Sequence, residues 1–483
     1  MQNADPAMPD SFDLSDKDQR SWITGERLET WSALAPEWPR PVTAVIAAEF
    51  VHAGPSLHSL TGAGSVGKTA VALQVGGHLL RDGFQSRDVL YLGLRGFSGC
   101  HDQARNRVSR WIDDRDGRRL AIVVDDALDL ERWRLWGAAK IRQGCDLRAL
   151  FIGAPGERPA TVVRTDLPDR SYALGPLTFG EAASRFGVSL SARSVAGLDL
   201  FADRGPGDWA LGPAASDLEP LLAAYLQTGG YPEMCLRPSM DPVQLRQRLI
   251  AAAAGRDASY AGLLSGSLAR TSLFDDICSA EGRALDPAAL SGSATDRTGN
   301  DVSHLGWFER AGLVHCLPAF GDDPCAPRRQ IILSDAVLAA GPRGQPLHGR
   351  SSPHHLAAQR CFVGHLARWA TRHGLRVCAW RNLQGVEAAA VLLDGPKAVV
   401  FKLIDGTEHR EAHQIWLRAV SRRFDRPHTI AVSVPMETAV DAAAATCVEP
   451  APPSSSIWPL TSLLLALSDG LMGSTPWSPR AAP

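Results

Sequence analysis

Gly62-Ala63-Gly64-Ser65-Val66-Gly67-Lys68-Thr69 spells a complete G-x-x-x-x-G-K-[ST] phosphate-binding loop, and the rest of the chain becomes legible outward from it. Its glycines let successive backbone N–H groups turn inward around a triphosphate. Lys68 offers a mobile cation to the β- and γ-phosphates, and Thr69 can set its hydroxyl on Mg²⁺. All eight residues are therefore expected at a nucleoside triphosphate, with Thr69 also at the metal.

The flanks have the order the loop needs. Ser56-Leu57-His58-Ser59-Leu60 reads as a short strand before it, and Ala70-Val71-Ala72-Leu73-Gln74-Val75 opens a segment of helical spacing that runs to Asp82-Gly83. A loop of this kind also requires an acid at the end of a buried neighbouring strand. Leu120-Ala121-Ile122-Val123-Val124-Asp125-Asp126 supplies one: five apolar residues, as a strand buried on both faces would have, then two carboxylates. Asp125 is the expected magnesium residue and Asp126 the expected general base. ATPases of this kind often carry Glu at that second position, and Asp is one methylene shorter. A helix-capping role for Asp126 or Asp129 is compatible with the same sequence. Strands over 88–94 and 147–153, with helices over 103–114 and 131–141 between and around them, predict a parallel α/β sheet that binds ligand at the carboxyl ends of its strands.

The chain has 483 residues, 45% hydrophobic and 21% charged, with a formal net charge of −2. Length allows several domains, and the charge balance offers no global field for nucleic acid, so any such contact must be local. Nine cysteines lie without a C-x-x-C pair, which argues for a reducing compartment and against a zinc site. No basic, apolar leader opens the sequence and no run of about 18 apolar residues occurs, so a cytoplasmic protein without a membrane segment is expected. No N-K-x-D base-reading motif is present, which favours ATP over GTP.

Three later stretches carry a family resemblance. Arg170-Ser171-Tyr172-Ala173-Leu174-Gly175-Pro176-Leu177-Thr178-Phe179-Gly180-Glu181, Tyr225-Leu226-Gln227-Thr228-Gly229-Gly230-Tyr231-Pro232-Glu233 and Leu305-Gly306-Trp307-Phe308-Glu309-Arg310-Ala311-Gly312-Leu313-Val314 follow the phosphate loop in order. Together they resemble prokaryotic AAA-type ATPases joined to a winged helix and a C-terminal restriction-endonuclease-like domain. The resemblance implies an N-terminal segment over 1–40, an ATPase domain over 41–220, a helical lid and winged helix over 221–345, a nuclease-like α/β domain over 346–470 and a tail over 471–483. It implies ATP and Mg²⁺ as cofactors, ATP hydrolysis, and Arg170 as a residue that stabilises transition-state charge in cis or from a neighbouring subunit. A protein partner, an oligomer and weak DNA contact through the winged helix belong to the same expectation.

Departures from that family shape the functional reading. Its polar sensor, commonly T-G-S, is replaced by Phe151-Ile152-Gly153-Ala154-Pro155, which keeps the glycine and loses both hydroxyls, so hydrolysis is expected to be slow. Gly229-Gly230 before Pro232 reads as a joint, with two residues free to adopt positive φ before one of fixed φ. In the winged helix, helices are expected over 272–280, 286–290 and 300–311, with wing strands over 313–317 and 330–333. Arg297, Asn300, Arg328 and Arg329 face a matching set of aspartates there, so protein contact and nucleic-acid contact both stay open. The nuclease pattern E-x-D followed by E-x-K becomes Glu387 with Ala389 and Val400 with Lys402; an upstream helix glutamate becomes Gln359. Mg²⁺ needs hard oxygen ligands, so this domain is expected to be inactive. Of fifty basic residues only Lys17, Lys68, Lys140, Lys397 and Lys402 are lysine. A compact ammonium at Lys68 is the one that phosphate chemistry demands.

Overall fold

The computed structural model describes residues 22–24, 28, 30, 39–94, 101–115, 117–127, 130–153, 169–185, 200–201, 215–237, 239–257, 267–282, 284–285, 304–321, 329–339, 353–404, 410–425, 427–434 and 455–469. The chain divides into two compact units, residues 1–61 with 67–173 and residues 62–66 with 174–483.

The first unit is built on β1 (Trp22–Thr24), α1 (Pro41–His52), β2 (Ser56–Gly62), α2 (Lys68–Arg81), β3 (Val89–Gly93), α3 (His101–Asp113), β4 (Arg119–Asp125), α4 (Leu130–Arg142), β5 (Asp146–Gly153) and β6 (Asp169–Leu174). The six strands form one sheet in the order β1-β3-β4-β5-β2-β6. β3, β4, β5 and β2 run parallel, and β1 is the antiparallel edge. β6 runs alongside β2, with Thr61 donating to the Tyr172 carbonyl, giving the five-stranded parallel sheet of a P-loop NTPase core. The reason is visible in the strands: Leu120, Ala121, Ile122, Val123 and Val124 are all buried, as parallel strands covered on both faces must be. Trp111, Trp133 and Phe151 complete the core on one face. The chain leaves β2, crosses to β3, returns through β4 and β5, then passes to the far side of β2. That reversal creates a crevice at the carboxyl ends of the strands, where such sheets hold ligands.

The second unit carries α5 (Phe179–Arg185), α6 (Ala215–Thr228), α7 (Pro232–Leu236), α8 (Pro242–Ala251), α9 (Ser267–Ala280), β7 (Ala284–Leu285), α10 (His304–Arg310), β8 (Val314–Pro318) and β9 (Arg329–Leu333). These lead into α11 (Pro353–Arg372), β10 (Arg376–Arg381), β11 (Glu387–Asp394), β12 (Lys397–Ile404), α12 (Arg410–Arg423), β13 (His428–Ser433), β14 (Ser455–Pro459) and α13 (Leu460–Asp469). The last strands form a five-stranded mixed sheet in sequence order, and β7-β9-β8 form a small one. Phe179, Leu222, Leu317, Ile332, Phe362, Phe401 and Leu463 share a single core. Leu317 and Ile332, from before residue 345, and Phe362, Phe401 and Leu463, from after it, therefore belong to one cluster.

β8 and β9 pair antiparallel from Val314↔Leu333 to Pro318↔Arg329, where the wing strands were expected. The helix expected over 286–290, with Arg297, Asn300 and Arg328, lies outside the described residues, as do Ala154, Pro155 and Asp129. Only Gly229 of the glycine pair takes positive φ, at 77°. Gly230 is needed for space, since a Cβ there would lie 2.2 Å from the Leu177 carbonyl oxygen. Among the described residues no helix is long and apolar enough to cross a membrane.

Candidate nucleotide-binding site

β2 delivers the chain into the phosphate loop and α2 takes it out. Ser65 and Gly67 both hold left-handed backbone, φ 60° and 94°, the conformation that turns consecutive N–H groups toward one concavity. Gly67 is also the N-cap of α2 and offers no capping side chain. The N-terminus of a 14-residue helix therefore opens at the loop, with no acidic residue in its first turn to oppose an anion. The helix is anchored from below by Val71, Ala72, Val75 and Leu79, all buried. Lys68 and Thr69 are its first two residues.

The acid pair arrives from β4. Asp125 is 5% exposed, and its main chain is fixed by Leu94 N–H donating to the Asp125 carbonyl at 2.9 Å. The Thr69 hydroxyl donates to Asp125 Oδ2 at 2.7 Å. A second hydroxyl, from Tyr91, donates to the same oxygen at 2.9 Å, and the Asp126 N–H donates to Oδ1 at 3.0 Å. Burial, followed by the neighbouring Asp126 charge, pushes the Asp125 carboxyl above the usual range; the two hydroxyl donors act against that rise. A buried carboxylate beside a hydroxyl whose lone pairs remain for coordination is the donor set that a hard divalent cation takes, so Thr69 and Asp125 fit Mg²⁺. Asp126 follows with φ 54°, and Ala127 N–H then bonds to the Ile152 carbonyl at 2.7 Å. That bond holds the strained turn between two strand ends.

The structure thus brings Thr69 and Asp125 into direct contact, with Asp126 adjoining. It does not bring Arg170 to them. β6 runs alongside β2, and Arg170 precedes by four residues the Leu174 carbonyl that abuts Gly62. At about 3.3 Å per residue this is roughly 13 Å back along the strand. There Arg170 is ion-paired with Glu49 of α1, which also accepts from the Tyr172 hydroxyl at 2.8 Å and faces His58 Nδ1 at 3.4 Å. His58 Nε2 lies 3.1 Å from Ser56 Oγ. The carboxylate–imidazole–hydroxyl order has the connectivity of a nucleophilic triad, but Ser56 is 2% exposed and offers a substrate no access. Burial, with Arg170 second, pushes His58 down to about 3. The group is a half-buried polar clamp between α1, β2 and β6, in which Arg170 is engaged with Glu49.

Tyr91 was missed from sequence because an aromatic residue in an apolar strand has the ordinary look of a core residue. The only signal available was Gly93 two residues on, which leaves room along the same face of β3: a Cβ there would sit 3.4 Å from the Tyr91 ring.

In the second unit, the four positions matching the nuclease pattern do not form a ligand set. Cys378 pairs with Val391 and Trp380 with Ala388, so Ala389 and Ala390 together oppose Ala379 in a bulge. Ala389 consequently packs with Phe362 and Phe401, whereas Val400 packs with Trp416 and Val420. Glu387 is exposed and 3.8 Å from Arg381. Lys402 lies over the Trp416 ring, 5.5 Å from its centroid. The simple alternation that would align Glu387, Ala389, Val400 and Lys402 is broken by the extra residue. Gly395 and Pro396 form the β11–β12 turn, with Asp394, the last residue of β11, opposite Lys397. Arg329, the described member of the wing's basic pair, lies 3.8 Å from Glu309.

No family model and no curated protein matches the chain. Among solved structures it is similar to the Saccharomyces cerevisiae Hsp104–ADP complex, at 12% identity and TM-score 0.28, over 60% of this chain and 40% of that one. It is similar to Caenorhabditis elegans PCH-2 at 16% identity and TM-score 0.25, over 43% and 59%. It is similar to Drosophila ORC bound to DNA at 14% identity and TM-score 0.22, over 68% and 93%. The chain spans less than two thirds of the length of the first two, and at these scores the likeness carries no conclusion about activity.

Proposed function

We propose that this chain is a cytoplasmic ATP-binding protein of AAA type and a slow, Mg²⁺-dependent ATPase. The observation that carries this reading is the Thr69–Asp125 hydrogen bond of 2.7 Å, which joins the end of the phosphate loop to the end of a buried strand 56 residues away. Backbone N–H groups at Ser65–Gly67 and the start of α2 would hold the phosphates, Lys68 would neutralise them, and Thr69 with Asp125 would hold the metal. Bound Mg²⁺ would supply charge neutralisation at the transferring phosphoryl group. Asp126, half-buried at the mouth, would orient a water and accept its proton. In the second unit, the winged-helix-like and nuclease-like segments would respond as one body, because they share a core, and would act on a protein partner rather than cut DNA.

A second reading, a nucleotide-gated scaffold with little turnover, is favoured by a specific observation. Arg170 is engaged with Glu49, so stabilisation of transition-state charge by an arginine would have to come from elsewhere, including a neighbouring subunit of an oligomer. A repositioned nuclease or weak DNA contact through the second unit is the remaining alternative. The deciding test is titration of a fluorescent ATP analogue alongside a phosphate-release assay, with and without DNA. Lys68→Ala is expected to remove binding, and retention of wild-type affinity would defeat the assignment. Turnover separates the ATPase from the scaffold, and stimulation by DNA would point to the third reading.

A further inference from the structure

The phosphate loop and Asp125 account for ligand contact, but they leave Tyr91 unexplained. Its phenol ends on the one carboxylate the site depends on, rather than on a backbone carbonyl as a buried tyrosine commonly would. Tyr91 is 5% exposed. It lies on β3, opposite Val123, with Gly93 opposite Asp125. The ring runs forward over Gly93 and places its hydroxyl 2.9 Å from Asp125 Oδ2, the oxygen that Thr69 also reaches. With Oδ2 taken by two hydroxyls and Oδ1 by the Asp126 N–H, Asp125 has three donors and little freedom to rotate. Oδ1, with the Asp126 N–H as its one described donor, keeps a lone pair, so Asp125 would hold the metal through a water while Thr69 faces the ion. The Thr69 proton points at Asp125, which turns the hydroxyl lone pairs away toward the loop.

Resting on the nucleotide reading above, we propose that Tyr91 is a positioning residue for the metal: by fixing Asp125 it holds Thr69 in the orientation that presents its oxygen to Mg²⁺. The metal-dependent part of nucleotide affinity then depends on a side chain of the neighbouring strand that touches neither phosphate nor ion. A purely structural tyrosine would change stability and leave that dependence intact.

The test compares wild type and Tyr91→Phe by titration with a fluorescent ADP analogue, once in excess Mg²⁺ and once in EDTA. Loss of one hydrogen bond to a charged group costs, at the low end, about 1.5 kcal/mol. The affinity gained on adding Mg²⁺ is therefore expected to fall about 10-fold in the variant, with the EDTA affinity unchanged within about two-fold. An unchanged ratio of the two affinities overturns the role of Tyr91 alone. Failure of wild type to bind in either buffer overturns the nucleotide reading, and this role with it. Because the chain has five tyrosines, ring-¹³C-tyrosine spectra of wild-type protein give a second readout should the variant not fold. The Tyr91 resonance, identified by Phe variants at the other four, is expected to move with Mg²⁺ and ADP together beyond its position with ADP in EDTA. Identical positions would overturn the proposal.

Discussion

Asp126 concentrates the tension between stability and chemistry in one residue. Its φ of 54° is a conformation that costs a non-glycine residue on the order of 1 kcal/mol, less for Asp and Asn than for most. The strand-end bonds on either side impose it. Asp126→Gly should therefore raise stability by about 0.5–1 kcal/mol in urea melts while removing any turnover. Asp126→Asn, equally tolerant of this backbone, should leave stability and nucleotide binding nearly unchanged and still remove turnover. Wild-type phosphate release by either variant would transfer the base to another residue. Asp125 and Thr69 could be paired from sequence because both sit at fixed offsets from strongly patterned segments. Arg170 could not be placed: forty-five of the fifty basic residues are arginine, and its partner Glu49 lies on a helix with no motif of its own.

At the scale of elements, the joint between α6 and α7 shows what a glycine pair does. Gly229 carries φ 77°, and a Cβ there would fall 1.8 Å from Asp335 Oδ1. Asp335 in turn accepts from Gly230 N–H at 2.7 Å and Val337 N–H at 3.0 Å, tying the joint to the turn after β9. Gly229→Ala combines backbone strain with displacement of a buried carboxylate and should cost about 2–4 kcal/mol by thermal or urea denaturation. A loss under about 1 kcal/mol would mean that the joint yields. The β11 bulge gives a prediction of the opposite kind. With Ala389 and Val400 in different parts of the core, purified protein should leave single- and double-stranded DNA intact in Mg²⁺ or Mn²⁺. Lys402→Ala should cost about 1 kcal/mol through its lost contact with Trp416 and alter no cleavage. Cutting that disappears in Lys402→Ala or Glu387→Ala would restore a nuclease. The strands themselves are legible from their apolar runs. The bulge is not, because Ala388, Ala389 and Ala390 are identical residues and only pairing with β10 distinguishes them.

At the scale of the whole molecule, buried histidines set the response to acid. Burial holds His58 at about 3, His315 at about 4 and His365 at about 3. The folded chain keeps them neutral, whereas the unfolded chain protonates them near 6.5. Below that pH the unfolded state binds more protons, so their contribution is complete above 6.5 and declines as pH falls toward 4, by about 2–3 kcal/mol for each residue. Asp335, raised by burial to about 6, and the raised Asp125 act in the opposite sense. Their protonated forms favour the fold, a contribution lost as pH rises through those values. Three histidines against two carboxylates predict a urea midpoint that drops between pH 6.5 and 4.5; a flat or rising profile would show that these imidazoles reach solvent.

The strand order of the first sheet also bears on how the protein is made. β2 ends at the phosphate loop, yet its pairing partner β5 follows far along the chain, with Ser56 opposite Arg148. At a synthesis rate of about 5–20 residues per second, β2 leaves the ribosome roughly 5–20 s before any of β5 exists. During that interval the β3–β4 pair can form, but the segment that shapes the loop has an unsatisfied edge on either side and is open to association with other chains. A nascent chain paused before residue 146 therefore contains every side chain of the phosphate site, with Asp125 already on a paired strand and the loop's own strand, β2, without a neighbour.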